Sequence, residues 1–251
     1  QGVEHTRVYL PDNAPAWLHD VKTQDELRSV LWNACEAKEN RKNSQTAHEL
    51  EIGFPAEFNA MQRREAGDQI AKELMRRYGC AVDIAYHAPS KDGDDRNFHA
   101  HIMFTQRAFD PERPDGWDRT KFAQLRPDTL DADKKPYLDW NGEATTRGAL
   151  EIEDLRKFTA GAFNRIAERD RLEVRSEYLS FERRGIEREP TQKQGPHATD
   201  LERKGEASRI GDENRMRRAA NDNRDKLAEA ENVLDLERER LNRELAKLTR
   251  A

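Results

Sequence analysis

The sequence is poor in cysteine, in aromatics and in apolar residues generally, and each shortage excludes something. Its two cysteines, Cys35 and Cys80, make neither a cysteine metal motif nor a disulfide framework. Two buried thiols in a reducing cytoplasm are expected instead. No stretch approaches the roughly 20 apolar residues of a membrane span, and none reads as a signal peptide. Net positive charge is lacking too: 44 Lys and Arg stand against 49 Asp and Glu. A nucleic-acid-binding surface, if present, must therefore be a local basic face on an acidic average. Apolar residues make up 35 % and charged residues 37 %, too lean for one packed core throughout. The shortage is uneven, because aromatic and β-branched residues concentrate before Phe181 and the remainder is nearly all polar. A globular domain is expected over residues 1–205 and a charged helical extension over 206–251.

What is present reads as alternating strands and helices. Residues 3–10 alternate loosely and stop at Pro11, as a strand does. Thr23, followed three positions later by Glu26, opens a helix with Leu27, Val30, Leu31 and Ala34 on one face. Residues 47–54 alternate strictly and stop at Pro55. A helix is expected over 61–78 with Gly79 as its stop. Strands are expected at 81–87 and 98–105, joined by an acidic turn at 91–95 and paired as a hairpin. Residues 107–148 read as irregular, 149–169 as helix, 183–203 as a basic loop, and the chain from about Asn214 onward as charged helix with a partial heptad pattern. No internal repeat is visible. The expected fold is α+β, a two-layer sandwich of an antiparallel sheet with helices packed on it.

The chemistry lies in the histidines. Residues two apart on a strand share a face, so His99 and His101 point the same way. His87 ends the preceding strand and comes near both if the two strands pair. Three imidazoles suit a first-row divalent metal with open positions for substrate oxygens. On the strand 47–54, Glu49 and Glu51 also share a face. They can hold a histidine tautomer or act as a base. His48 falls on the core side and reads as structural; His5 and His19 are isolated. Basic residues Arg41, Lys42, Arg96, Arg107, Arg119 and Lys121 lie near these segments. Arg184, Arg188, Lys193 and His197 belong to a second basic stretch suited to phosphate. Trp117 and Trp140 could stack on bases.

Three blocks together carry a resemblance: QTAHELEIGFP at residues 45–55, YGCAVDIAYHAPSKDGDDRNFHAHIMFTQR at 78–107, and RSEYLSFERRGIEREPTQKQGPHATDLERKG at 175–205. In this order they resemble the MobA/MobL plasmid relaxases, of the HUH endonuclease superfamily. The resemblance implies a site- and strand-specific DNA nickase that starts conjugative mobilisation through a covalent phosphotyrosyl intermediate. It implies Mg²⁺ or Mn²⁺ on His87, His99 and His101, and a functional carboxylate on the Glu49–Glu51 strand, with Glu51 preferred. Arg107 follows the histidine strand where the family has a basic residue. Expected partners are single-stranded transfer-origin DNA and other relaxosome or coupling proteins, in the cytoplasm. The family's nucleophilic tyrosine lies in a YRS-type motif that matches none of Tyr9, Tyr78, Tyr86, Tyr137 and Tyr178, so the chain is expected to lack that first part. Two alternatives remain open: a phosphoesterase without a covalent step, and a non-catalytic DNA-binding component.

Overall fold

The computed structural model describes residues 2–89 and 95–248, so most of the acidic turn expected at 91–95 lies outside the described residues. The chain divides into two compact units, Gln1–Tyr178 and Leu179–Ala251. The division falls inside the domain expected over residues 1–205.

The first unit contains β1 (Val3–Tyr9), α1 (Ala16–His19), α2 (Gln24–Lys38), β2 (Ala47–Gly53), α3 (Ala60–Tyr78), β3 (Val82–His87), β4 (His99–Thr105) and α4 (Arg147–Arg169). The four strands form one sheet in the order β1-β3-β4-β2, antiparallel throughout. Alternation fixes which side chains go where. On β3 and β4, Val82, Ile84, Tyr86, Ala100, Ile102 and Phe104 point to one face. There they pack against Ile70 and Leu74 of α3 and Leu155, Phe163 and Ile166 of α4. Burial of these apolar side chains is the main stabilising term for this layer. Among the described residues of this unit, the opposite face is covered at one end. Leu27, Leu31 and Cys35 of α2 pack there with Val8, Ala81, Phe109 and Trp117.

The helix ends follow their caps. Thr23 Oγ1 accepts the Glu26 amide at α2. Asn59 and Gln62 form a reciprocal capping box at α3, which starts that helix one residue before the expected position. Gly79, at φ 60°, closes α3 in the left-handed conformation, which costs glycine nothing sterically.

The region read as irregular holds an internal repeat that the sequence reading missed. Residues 130–136 (LDADKKP) and 138–144 (LDWNGEA) are tandem hairpins of one design. Each is closed by a bridge, Leu130 with Pro136 and Leu138 with Ala144. In each, the aspartate Oδ1 accepts two amides across the turn: Asp131 from Asp133 and Lys135, Asp139 from Asn141 and Glu143. Lys134 and Gly142 supply the positive φ that each turn requires. Only Leu-Asp is common to both copies, so sequence identity hides what the side-chain-to-backbone geometry shares.

In the second unit the expected basic loop is partly helical. A 3-10 turn, Glu182–Arg184, is followed by α5 (Gly195–Arg203) and the 40-residue α6 (Arg209–Leu248). Pro196 sits at the start of α5, where a missing amide hydrogen costs nothing. Among the described residues no helix is long and apolar enough to cross a membrane.

Candidate functional site

The histidines lie on the sheet face away from α3 and α4, at the end that α2 leaves open. The register puts them there. His87 pairs with His99 across β3 and β4, and His101 lies two residues on. The three rings cluster, with centroids 5.1 Å apart for His87–His99, 5.1 Å for His87–His101 and 5.5 Å for His99–His101. The start of β4 is pinned from beneath. The Phe98 carbonyl accepts the Phe54 amide at 2.8 Å. The buried Arg63 guanidinium lies 3.8 Å over the Phe98 ring and donates to the Phe58 carbonyl at 2.5 Å.

Two of the three imidazoles are held in one tautomer. His99 Nδ1 lies 3.0 Å from the Asn97 carbonyl, and His101 Nδ1 lies 2.7 Å from Glu49 Oε1. A carbonyl and a carboxylate can only accept, so Nδ1 carries the hydrogen in both and Nε2 keeps its lone pair. Partial burial, with His101 and His99 close by, lowers the pKa of His87 below its usual value. The lowered pKa favours the neutral, metal-binding form of His87. The donor set fits a divalent first-row metal in type and in number. It is not drawn closed: His87 stacks nearly parallel on His99, and parallel rings do not aim lone pairs at one point. Among the described residues no group of three His, Cys, Asp or Glu side chains is arranged as a finished cation cage.

Both candidate carboxylates of β2 point to the histidine face. By backbone register Glu51 is directly opposite His101, and Glu49 is opposite Met103. The carboxylate that accepts from His101 Nδ1 is nevertheless Glu49, one diagonal step away. Glu49 stays more than half exposed, as a reachable second carboxylate should. His48 is on the core face, as expected, stacked on Phe104 at 5.2 Å, and burial lowers its pKa.

The basic residues sort themselves by partner. Arg41 and Lys42 are exposed. Arg96 is exposed too, 3.9 Å from Glu57. Arg107 is not a free phosphate ligand. Its Nε bonds Glu39 at 2.5 Å and its Nη1 reaches the Asp118 carbonyl at 3.4 Å, so it anchors the 107–121 loop. Glu39, distant in sequence, was not foreseeable as its partner. In the second unit, Arg188 pairs with Asp225 and lies over Phe181. Arg184 also lies over Phe181, while Lys193 and His197 are exposed. The tryptophans differ. Trp117 is 4 % exposed against Phe109 and cannot stack on a base. Trp140 is 51 % exposed but sits on an acidic hairpin tip beside Asp139 and Glu143, which disfavours DNA.

The tyrosines of the sheet and of α3 point to the covered face. Tyr9 bonds Asp68, Tyr78 Oη donates to Glu151 at 2.7 Å, and Tyr86 Oη donates to the Arg64 carbonyl at 3.2 Å. Burial raises the pKa of all three well above the usual phenol value.

Comparisons with known proteins agree with the residue blocks. The model of the MobA/MobL family matches residues 1–204. The chain is 30 % identical over 215 residues to a probable conjugal transfer protein TraA of Sinorhizobium fredii, covering 81 % of this chain and 18 % of that protein. It is 29 % identical over 237 residues to the mobilization protein MobL of Acidithiobacillus ferridurans, covering 86 % and 54 %. It thus spans about half of MobL and under a fifth of TraA. Among solved structures, one described as the molecular basis of vancomycin resistance transfer in Staphylococcus aureus aligns at TM-score 0.50 and 28 % identity, covering 72 % of this chain and 77 % of that one.

Proposed function

The chain belongs to the MobA/MobL family, and from that premise we propose that it is the DNA-processing part of a plasmid mobilisation relaxase, acting on one strand at a transfer origin. The observation that carries this reading is the imidazole cluster at the open end of the sheet, with Nε2 of His99 and His101 bare. His87, His99 and His101 would hold the metal. A bound Mg²⁺ or Mn²⁺ would supply charge neutralisation at a scissile phosphate.

The chain's own groups orient and bind. Glu49 fixes the His101 tautomer and raises the basicity of Nε2, and the Asn97 carbonyl does the same for His99. Glu51, across from His101, offers an exposed carboxylate as proton acceptor. Arg41, Lys42 and Arg96 in the first unit, and Arg184, Lys193 and His197 in the second, offer contacts to backbone phosphates.

The family resemblance implies a tyrosine nucleophile in a YRS-type motif, but Tyr9, Tyr78 and Tyr86 are turned to the other face and bonded, and Tyr137 and Tyr178 match no such motif. This chain is therefore expected to bind DNA and metal without forming a covalent adduct. The same observation favours a second reading, in which water attacks and the phosphodiester is hydrolysed with no covalent link. One incubation separates them: the chain, a labelled transfer-origin strand and Mn²⁺. A bound, uncleaved strand fits the expectation. A cleaved strand with a free 5′-phosphate favours the hydrolytic reading. A protein–DNA adduct stable to denaturant overturns the assignment of the tyrosines. No binding at all overturns the DNA reading.

A further inference from the structure

A groove lies at the opposite end of the sheet from the histidines. β4 runs from His99 to Thr105, so its two ends are about 20 Å apart at the usual strand rise. Beyond Thr105 the chain meets two adjoining pockets of about 450 and 500 Å³, which share Arg41, Ser44, Lys121 and Arg126. Each is within the roughly 300–1,000 Å³ of small-molecule sites.

The first compartment is cationic on a chain that is acidic overall. Its one lining carboxylate, Glu39, is already satisfied by Arg107, by Lys121 Nζ at 3.2 Å and by Ser44 Oγ at 2.8 Å. Lys38 is neutralised by Asp115. One charge of the Arg107–Lys121 pair is left over, together with those of Arg41, Arg119 and Arg126. Arg126 Nη2 donates to the Lys121 carbonyl at 3.0 Å, which orients its guanidinium without neutralising it. These four like charges line one pocket with no further carboxylate among its lining residues, a setting that attracts an anion.

The second compartment is of another kind. Phe122 and His48 wall it, their rings 5.4 Å apart, with Leu125 and Pro127. Burial keeps this imidazole neutral, so it offers a flat, uncharged face. The amides of Asn43 and Gln45 rim the compartment. A cationic pocket joined to a flat-walled pocket edged with amides matches a phosphate joined to a planar ring.

We propose that this groove binds one nucleotide unit, its phosphate among Arg41, Arg119 and Arg126 and its base against His48 and Phe122. The occupant is a nucleotide of the DNA strand, held about 10–20 Å from the histidines along β4, so that the strand is gripped at two places. This rests on the reading that the chain works on DNA, yet it is tested by binding alone.

The test uses the double variant Arg41→Gln/Arg119→Gln, two side chains with no ion pair among the described residues, and the matching double lysine variant. Binding of a fluorescent single-stranded oligonucleotide is followed across a salt series, with a deoxynucleoside monophosphate as competitor. His99→Ala/His101→Ala is run in parallel. The glutamine variant should bind at least tenfold more weakly. Its log–log salt slope should be shallower by about 1.4, which is two contacts at about 0.7 each. The lysine variant should restore most of both, and the histidine variant, assayed without added metal, should keep the parent's salt slope, because the groove's phosphate contacts are intact. Displacement of the oligonucleotide by the monophosphate at micromolar concentration would keep the site but make a free nucleotide its occupant. If the glutamine variant binds the oligonucleotide as tightly and with the same slope as the parent, or if the parent binds neither probe, the proposal is wrong. Groove binding intact in a chain that takes up no Mn²⁺ at its histidines would count against the proposed function alone.

Discussion

The two faces of the sheet carry two glycines in opposite circumstances. Gly67 of α3 lies against the covered face. A Cβ there would come within 2.1 Å of Tyr86 Oη and 2.8 Å of Ile84 Cδ1. Gly53 of β2 pairs with His99 on the open face, and a Cβ there would meet nothing within 4 Å. The same residue type is a packing necessity on one face and a bare patch on the other. Cover, rather than composition, separates the part of this sheet that holds the fold together from the part free for chemistry.

The carboxylates repeat the contrast. Asp83 and Glu49 point to the same face, in the same row of the ladder with Met103 between them. Asp83, at the end covered by α2, is saturated: Arg28 Nε and Nη2 bond it at 2.8 and 2.9 Å, and Trp32 Nε1 at 2.9 Å. Glu49, at the uncovered edge, spends one oxygen on His101 and leaves the other to water.

The largest effect should follow Gly67→Ala. Neither Tyr86 nor Ile84 can retreat from a packed core, so α3 must lift off the sheet. A loss of about 3 kcal/mol in urea unfolding is expected, at the upper end for overpacking. A loss under about 1 kcal/mol would mean that α3 is not seated as described. Next comes Asp83→Asn. It turns amide hydrogens toward donors and leaves the Arg28 guanidinium only the exposed Asp25 as counter-charge, at a cost of about 2–3 kcal/mol. Metal affinity should be unaffected, and a fall in it would tie the covered end of the face to the histidines.

Glu49→Gln should do the reverse. Glu49 is exposed, so stability should change by less than about 0.5 kcal/mol. The Nδ1–H of His101 keeps an acceptor but loses its anionic partner, and Mn²⁺ affinity by titration calorimetry should fall about tenfold. Glu51→Gln, with no such bond, should change affinity less. Equal losses from the two variants would break the distinction drawn between them.

These two glutamates also mark how far the sequence was legible. Alternation in residues 47–53 and 99–105 was enough to put both carboxylates on one face and His99 with His101 on one face. The pairing of β3 with β4 was readable from the hairpin pattern, and it brought in His87. The placement of β2 beside β4, rather than at the other edge, is a long-range choice that no local pattern encodes. The diagonal reach from Glu49 to His101 depends on it, and so the preference for Glu51 had no geometric basis. Arg107 shows the same limit: the family resemblance and its place after the histidine strand suggest a phosphate ligand, but its guanidinium bonds Glu39, which only the tertiary fold brings near. The tandem hairpins were hidden for the opposite reason. They are local, but what repeats is an aspartate accepting two amides and a residue at positive φ, a pattern that tolerates almost any side chain between.

The smallest effect sharpens the comparison most. Gly53 has an ordinary strand backbone, absent from the positive-φ residues, so it is not needed for conformation. A glycine inside a strand weakens it through the unfolded state, and Gly53→Ala should stabilise the chain by about 0.5 kcal/mol. On the covered face the same substitution costs several times that with the opposite sign. A strand glycine with free space above it also marks where another backbone can come close, and this one adjoins His99. The decisive measurement pairs a thermal melt with oligonucleotide binding. If Gly53→Ala raises the melting temperature and leaves DNA binding unchanged, the bare patch is only a gap at an edge. If it raises the melting temperature and weakens DNA binding, the space beside His99 is where the phosphate backbone lies, and the absence of a side chain there serves the site rather than the fold.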